Sequence, residues 1–484
     1  VKMDVAIIGG GVIGCAIARA LSYTMNNVAV IEAKDDVAMG ASHANSGIVH
    51  AGFDAPPGSL MARFNVEGNA MFDALCADLQ VPFTRNGSLV AAMGAEEEPA
   101  LARLLAQGQA NGVPGLRMLT GAQARALEPA LSPDISAALY APTGGIVCPY
   151  GLTIALAENA AQNGATFLFD APVDAITQSA DGFTLHMGAR TLRSRFIVNA
   201  AGAHADEVSR MAGAEAFAIH PRKGEYMLLD KSEGGMLRAT VFRTPSAMGK
   251  GVLVTPTADG NLMLGPTAQD VADKEDTATS AEGLAAIRAS VTQTVPKVRL
   301  GRVITSFAGL RAVSGEDFII QASKVAPGLV QAAGICSPGL TSAPAIAAHV
   351  VALLEGLGLD VTPNPYAVRT RTAPKPFRQM SWEERRAAIE ADPRYGHVIC
   401  RCETVTEAEI VRALEGPLPA RSVDAIKRRT RAGMGRCQGG FCSPRVMELL
   451  HAHLGIPYPD ITKMGGVSHM VAPRAGDETK ETNV

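Results

Sequence analysis

The chain reads as an α/β domain interrupted by an α+β domain and followed by a small helical unit. Three observations carry this. Asp4 to Glu32 joins an apolar strand, a glycine turn, a helix and a second strand. Phe217 to Thr305 alternates short apolar runs with turn residues, as a mostly antiparallel sheet does. Four of the eight cysteines gather near the carboxyl end, beyond a proline-rich stretch.

Val5-Ala6-Ile7-Ile8 is an uncharged strand leading into Gly9-Gly10-Gly11-Val12-Ile13-Gly14, which fits G-x-G-x-x-G. Gly9 permits the tight turn, Gly11 lets a pyrophosphate approach the backbone, and Gly14 lets the helix pack closely on the strand. Phosphates then meet the helix N-terminus. Ile13, Ile17 and Leu21 recur at helical spacing, and Val28-Ala29-Val30-Ile31 ends in Glu32, an acid suited to ribose hydroxyls and hostile to a 2'-phosphate. The motif leaves NAD and FAD both open.

With 484 residues, 47% hydrophobic and 19% charged, the chain suits two or three globular domains. A net charge of -3 argues against a general nucleic-acid binder. The first strand starts at once, leaving no room for a signal peptide, and Ala343 to Leu357 is interrupted by Pro344, His349 and Glu355. Cys15, Cys76, Cys148 and Cys336 are scattered while the other four cluster, which suits a metal site in a reducing compartment. A cytoplasmic location is therefore expected, with any membrane association made through a partner.

Gly40 to Gly52 is a run of small and hydroxylic residues with His43 and His50, the composition of a loop packed against a ligand. Within it, Asn45-Ser46-Gly47-Ile48-Val49-His50-Ala51-Gly52 resembles the N-S-G-x-x-H-[SA]-G segment of the D-amino-acid oxidase (glycine oxidase) superfamily of FAD proteins. The branch in question holds L-2-hydroxyglutarate oxidases and FAD-dependent glycerol-3-phosphate dehydrogenases. The resemblance implies a glutathione reductase-type Rossmann-like FAD domain and an antiparallel-sheet substrate domain. Its boundaries are expected at 1–80, 145–215 and 306–361 for the discontinuous FAD domain, and at 81–144 and 216–305 for the substrate domain.

The remaining elements follow in order. Leu60, Phe64, Val66, Met71 and Leu75 suggest helix over 57–79, and Glu96 to Glu128 is alanine-rich and reads as helical. Gly144 to Pro149 looks like the return to the FAD domain, with a helix from Leu152 to Asn163. Phe196 to Asp206 ends a strand on Asn199-Ala200-Ala201-Gly202, a run that touches the adenine half of FAD in the resembling family. The roof sheet follows, and Phe307-Ala308-Gly309-Leu310-Arg311 leads back. Gly334 to Pro344 opens a helix to about Leu354, whose N-terminus the family points at the flavin. The resemblance thus implies FAD contacts from Gly9, Gly11, Gly14, Glu32, Ser42, Asn45, Ser46, Gly47, Val173, Ala201, Gly202, Gly309, Gly339, Leu340 and Thr341.

Thr362 to Gln379 carries four prolines and reads as an extended linker, with the linker as a whole expected at 362–395. Beyond it, Cys400-Arg401-Cys402 and Cys437-Gln438-Gly439-Gly440-Phe441-Cys442 form C-x-C and C-x4-C pairs. Such thiolates hold zinc or an iron-sulfur cluster, and structural zinc more often uses C-x2-C. The segment resembles the bacterioferritin-associated-ferredoxin-like [2Fe-2S] domain that ends the anaerobic glycerol-3-phosphate dehydrogenase large subunit. This makes Cys400, Cys402, Cys437 and Cys442 the expected ligands in a small helical domain over 396–470, with a tail over 471–484. Lys427, Arg428, Arg429, Arg431 and Arg436 read as a cationic face beside the cluster, where a partner subunit, itself an electron-transfer protein or flavoprotein, would dock.

The expected activity is an FAD dehydrogenase taking a hydride from a small hydroxy acid or polyol phosphate and relaying electrons through the cluster to a partner. His50 is the candidate base, and Arg311 and Lys223, with Arg222, are candidate anchors for an acidic tail. Asp54 stands where the dehydrogenases tend to place an arginine, and its charge opposes a phosphate. Two alternatives stay open: an amino-acid or amine dehydrogenase, with Asp54 facing the amine, and a non-catalytic electron-transfer subunit.

Overall fold

In the computed structural model, which describes residues 2–245 and 251–472, the first apolar run forms β1 (Lys2–Ile8), the glycine turn opens α1 (Val12–Leu21), and β2 is Val28–Ile31. β1 is parallel to both β2 and β3 (Arg190–Asn199), with Ile8 level with Ile31 and Asn199. Three parallel strands therefore end side by side at Gly9, Glu32 and Ala200, and such carboxyl ends are where open α/β sheets bind ligands. The eight-stranded sheet runs Ala175–Ser179, Gly182–Met187, β3, β1, β2, Thr166–Leu168. Leu329–Ala333 joins the carboxyl half of β3 in parallel, and Ile319–Ala322 pairs with it outside. The buried Asn199 amide donates to Gln331 Oε1 at 2.8 Å, and the Gln331 amide donates to Ser209 Oγ at 2.7 Å, so the join is pinned by fully satisfied polar groups.

Leu60–Leu79 (α2) is one helix, opened by Ser59, whose side chain accepts from the Ala62 N–H. It packs on the late helix Gly339–Gly356 (α3) at Gly68, where a Cβ would overlap the Thr341 carbonyl. Backbone against backbone leaves no room to yield. Gly68→Ala is expected to lower stability by about 1–3 kcal/mol, read as a fall in Tm; an unchanged Tm would contradict the close approach. α3 is long and apolar enough to cross a membrane, with mean hydropathy 1.3, but 56% of that stretch is buried in the fold, against α1 and α2.

The second sheet has nine strands. β4 (His220–Leu229) lies along β5 (Val303–Val313) from the His220–Val313 pair to the Leu229–Val303 pair. From β4 the order continues through Leu262–Gly265, Leu253–Pro256, Thr240–Arg243, Ser88–Met93, Ile135–Ala141 and Arg117–Thr120. One face packs Met227, Leu229, Leu262 and Leu264 against Ile287 and Val291 of the helix Ala281–Thr294.

Three expectations are corrected here. The Ala281–Thr294 helix interrupts a stretch read as sheet, and the strand Arg117–Thr120 interrupts one read as helix, because Gly112, Pro114 and Gly115 stop the helix at Ala110. The boundary expected at 305/306 falls inside β5.

The chain divides into two compact units, Val1–Ala33 with Val37–Ala373, and Lys34–Asp36 with Pro374–Val484. The stretch read as a linker is structured. Its first part is strapped to the first unit, with Arg371 Nε on Glu158 at 2.6 Å and the Met25 N–H on the Thr362 carbonyl at 3.0 Å. Its second part contains the helix Trp382–Ala391, opened by a Ser381/Glu384 capping box. The second unit places the hairpin Val398–Cys400/Val405–Thr406 and the helices Glu407–Glu415, Val423–Thr430 (α4) and Ser443–Leu454 (α5) around Ile410, Leu414, Ile426, Val446 and Leu450. Of the expected tail, residues 473–484 lie outside the described residues.

Candidate functional site

The glycine turn divides its labour among three residues. A Cβ at Gly9, which has φ +111°, would collide with the Ala200 carbonyl, and one at Gly14 would overlap the Gly9 carbonyl, so both glycines serve packing. A Cβ at Gly11 would meet only Ser42 Oγ at 3.2 Å, so its missing side chain leaves space for a ligand. Beside that space α1 begins with no side-chain cap from Gly11, and Ser42 Oγ accepts the Val12 N–H at 2.9 Å. The Glu32 carboxylate, at the end of β2, accepts the Gly10 N–H at 2.7 Å. A helix N-terminus with open space in front and an acid beside it fits an adenine dinucleotide.

Gly11→Val is expected to fold, since Gly11 is extended (φ -75°) and no backbone crowds it, but to be purified without flavin. A folded variant carrying full flavin by absorbance would sink the assignment.

The loop after β2 lies over this turn. Asn45 fixes it: its amide donates to the Ala41 carbonyl at 2.9 Å and its oxygen accepts the Gly47 N–H at 2.8 Å, with Ser46 between them. Gly47 has φ +64° and no room for a Cβ beside the Val147 carbonyl. Gly309 of β5 approaches so closely that a Cβ would overlap the Ala44 carbonyl. The Ala201 N–H donates to Asn199 Oδ1 at 3.3 Å, Gly202 has φ +56°, and Val173 packs half-buried on the core of the first sheet.

His50 follows this loop and is 9% exposed. Its N–H donates to Thr341 Oγ1 at 2.9 Å, in the first turn of α3 with Gly339 and Leu340. Its carbonyl accepts the amides of Asn65 at 2.8 Å and Asn69 at 2.9 Å from α2. Three side chains thus pin the backbone, and the imidazole Nε2 faces Ser337 Oγ at 3.4 Å, with Phe242 5.9 Å from the ring.

Strand parity sorts the candidate cations. On β4, Lys223, Glu225, Met227 and Leu229 share one face, where Glu225 receives Ser280 at the start of the Ala281–Thr294 helix. Lys223, expected as an anion anchor, points there too, buried and ion-paired to Asp276 at 2.8 Å; alternation along the strand takes it off the loop side. On the other face Tyr226 stacks on Phe307 at 5.0 Å, Gly309 meets Ala44, and the Arg311 guanidinium lies over the bare Gly224, donating to the Thr267 carbonyl at 3.0 Å. Arg222 shares that face, but its guanidinium grips Asp270 at 2.6 and 3.2 Å. Among the described residues, Arg311 is thus a cation on the histidine-loop side with no carboxylate partner.

In the second unit the four clustered cysteines form two pairs. Cys402 Sγ lies 3.7 Å from Cys437 Sγ, and the Cys442 thiol hydrogen-bonds to Cys400. That bond, with N–H groups of Gly433, Glu403 and Cys402, brings the Cys400 thiol down to about 6. The Cys437 thiol is also lowered: burial opposes this, and the Gly439 N–H and the Cys402 thiol outweigh it. Among the described residues no three Cys, His, Asp or Glu side chains close on one point. Two thiol pairs with amide donors suit a binuclear iron-sulfur centre, which takes four thiolates over two irons.

The cationic face is corrected. Arg428 and Arg429 are buried on Asp36, each at 2.7 Å, and Arg431 is buried on Glu403 at 2.8 Å. Burial works to raise the Asp36 carboxyl, but the two guanidiniums hold it below the usual carboxylate range. Burial also lowers the Lys427 ammonium. Most of the run is internal strut, and Arg436 is exposed.

Ser337, Asn65 and Asn69 were missed in the sequence. The available signal was two asparagines four apart on the otherwise apolar buried stripe of an amphipathic helix.

Comparison with known proteins agrees with this geometry. Residues 4–353 match the family described as FAD dependent oxidoreductase, and residues 398–452 match the BFD-like [2Fe-2S] binding domain. The chain is 46% identical over 465 residues to a glycerol 3-phosphate dehydrogenase of Caloramator mitchellensis, covering 95% of this chain and 96% of that one. It is 29% identical to the mitochondrial L-2-hydroxyglutarate dehydrogenase of Arabidopsis thaliana, over 72% and 83% of the two chains. Dithionite-reduced L-alpha-glycerophosphate oxidase from Mycoplasma pneumoniae, solved with FAD bound, superposes with TM-score 0.74 at 32% identity, covering 78% of this chain and all of that one.

Proposed function

The chain belongs to the FAD dependent oxidoreductase family and ends in a BFD-like [2Fe-2S] domain, and from that premise we propose that it oxidises the secondary alcohol of a small anionic molecule, glycerol 3-phosphate ahead of 2-hydroxy acids. It is an FAD-dependent enzyme, so the reading as a non-catalytic subunit falls away. The observation that carries the proposal is His50, with its backbone pinned by α2 and α3 and its Nε2 beside Ser337.

Oxidising an alcohol removes a hydride from carbon and a proton from oxygen. FAD, when bound, would supply the hydride acceptor, and a cluster, when bound, a one-electron outlet. Gly11, Ser42 and Glu32 would hold the dinucleotide, and Cys400, Cys402, Cys437 and Cys442 the cluster. His50 Nε2 takes the hydroxyl proton, Ser337 keeps the imidazole aimed, and Arg311 holds the anionic tail. Relatives named for glycerol 3-phosphate support the phosphate, and the one named for L-2-hydroxyglutarate supports a carboxylate in its place. Asp54, at the turn beyond His50, is the feature that favours an amine instead.

Under argon, glycerol 3-phosphate is expected to bleach the flavin, 2-hydroxy acids more slowly, and amines or amino acids not at all. Bleaching by an amine alone would overturn the alcohol reading. The electron acceptor in this proposal is a partner protein, a flavoprotein or quinone-linked subunit. The proposed location is cytoplasmic, with any membrane contact made by the partner.

A further inference from the structure

We propose that the exposed rim around Phe441 is the docking face for an electron-carrier protein whose own redox centre is ringed by carboxylates. The inference rests on the reading that electrons leave through the cysteine centre. Phe441 immediately precedes Cys442 and is 85% exposed, outside the apolar core of this unit. Cys402 is exposed, so one edge of the centre faces outward at the same place. Electron transfer falls off steeply with distance, and that edge is where a carrier must approach.

Charge decides the kind of carrier. Of the Asp, Glu, Lys and Arg residues within three positions of the four cysteines, Arg401, Arg436 and Arg445 are exposed, while Glu403 is buried. Arg445 lies on Glu448 at 2.5 Å, and Arg401 and Arg436 are neighbours in the chain of Cys400, Cys402 and Cys437. One large apolar anchor inside a cationic rim has the anatomy of an interface steered by charge and held by a central hot spot. It attracts an acidic carrier and repels a basic one. A second copy of this chain would present the same cations, which disfavours self-pairing.

The test uses the holoenzyme with two probes, an acidic plant-type [2Fe-2S] ferredoxin and a basic cytochrome c, with Kd read by biolayer interferometry at low and at physiological salt. The acidic probe is expected to bind, to weaken as salt rises, and to lose about tenfold in affinity with Phe441→Ser or Arg401→Glu. Flavin content, cluster absorption and substrate bleaching stay unchanged in both variants, so misfolding is ruled out directly. Equal binding of the two probes overturns the proposal, as does a Phe441→Ser variant with unaltered Kd. Self-association in sedimentation that Phe441→Ser abolishes would make the face a contact between copies instead. Should substrate bleach the flavin while the cluster stays oxidised, the electron route itself fails, and the Kd measurements still report separately on the face.

Discussion

Replacing His50 by asparagine lowers the rate of substrate-driven flavin bleaching by about 10²–10⁴-fold, the usual contribution of a positioned base. The protein should still fold and bind flavin. Thr341, Asn65 and Asn69 all hold the His50 backbone and make no demand on its ring, so exchanging the side chain leaves the loop where it was. The lost function is proton acceptance at Nε2. Stopped-flow bleaching across pH makes the comparison. A variant that bleaches at the wild-type rate with the same pH profile would show that the base lies elsewhere.

Cys402→Ser abolishes steady-state turnover with a one-electron protein acceptor while leaving bleaching of the flavin by substrate at the wild-type rate in a single turnover. The two halves of that result belong to different units. The histidine loop, Ser337 and the glycine turn all lie in the first unit, and Cys402 lies in the second, paired to Cys437 at 3.7 Å. Serine lacks the soft thiolate that iron-sulfur binding requires, so the same variant should lose the visible cluster absorption. Steady-state turnover at the wild-type rate in a cluster-free variant would make the cysteine centre structural and the flavin its own outlet.

What the sequence made legible was whatever is decided within a few residues. The glycine turn and the acid after β2 are local patterns, and each lies where a short-range argument puts it, whereas the cysteines of C-x-C and C-x4-C pair across the two motifs, Cys402 with Cys437 and Cys400 with Cys442. Side-chain direction on the roof was not legible. Lys223 and Arg222 sit next to each other in sequence, and which one faces the histidine loop depends on β4 pairing with β5, residues some eighty positions on. The arginines of α4 posed the same difficulty in another form. Their charges are plain, but whether they meet water or a carboxylate depended on Asp36, 392 positions away from Arg428. Ser337 lies 287 positions from His50, so nothing local marks the meeting of its hydroxyl with the imidazole. The linker was misread for a different reason: its prolines drew attention from the Ser381/Glu384 capping signal that opens a helix.

The parallel join of β1, β3 and Leu329–Ala333 sets a schedule for the newborn chain. At about 5–20 residues per second, a ribosome that has released β1 needs roughly another 15–65 s before Leu329–Ala333 exists to complete the sheet. Until then the carboxyl half of β3, Ile197 to Asn199, has an open edge, the arrangement most prone to wrong pairing. The fingerprint is therefore made well before the residues that finish it, since Gly9 rests on Ala200 and β3 in turn awaits Gln331. A dinucleotide cannot settle on the glycine turn before β3 supports it, so binding waits on a chain that has grown past Asn199.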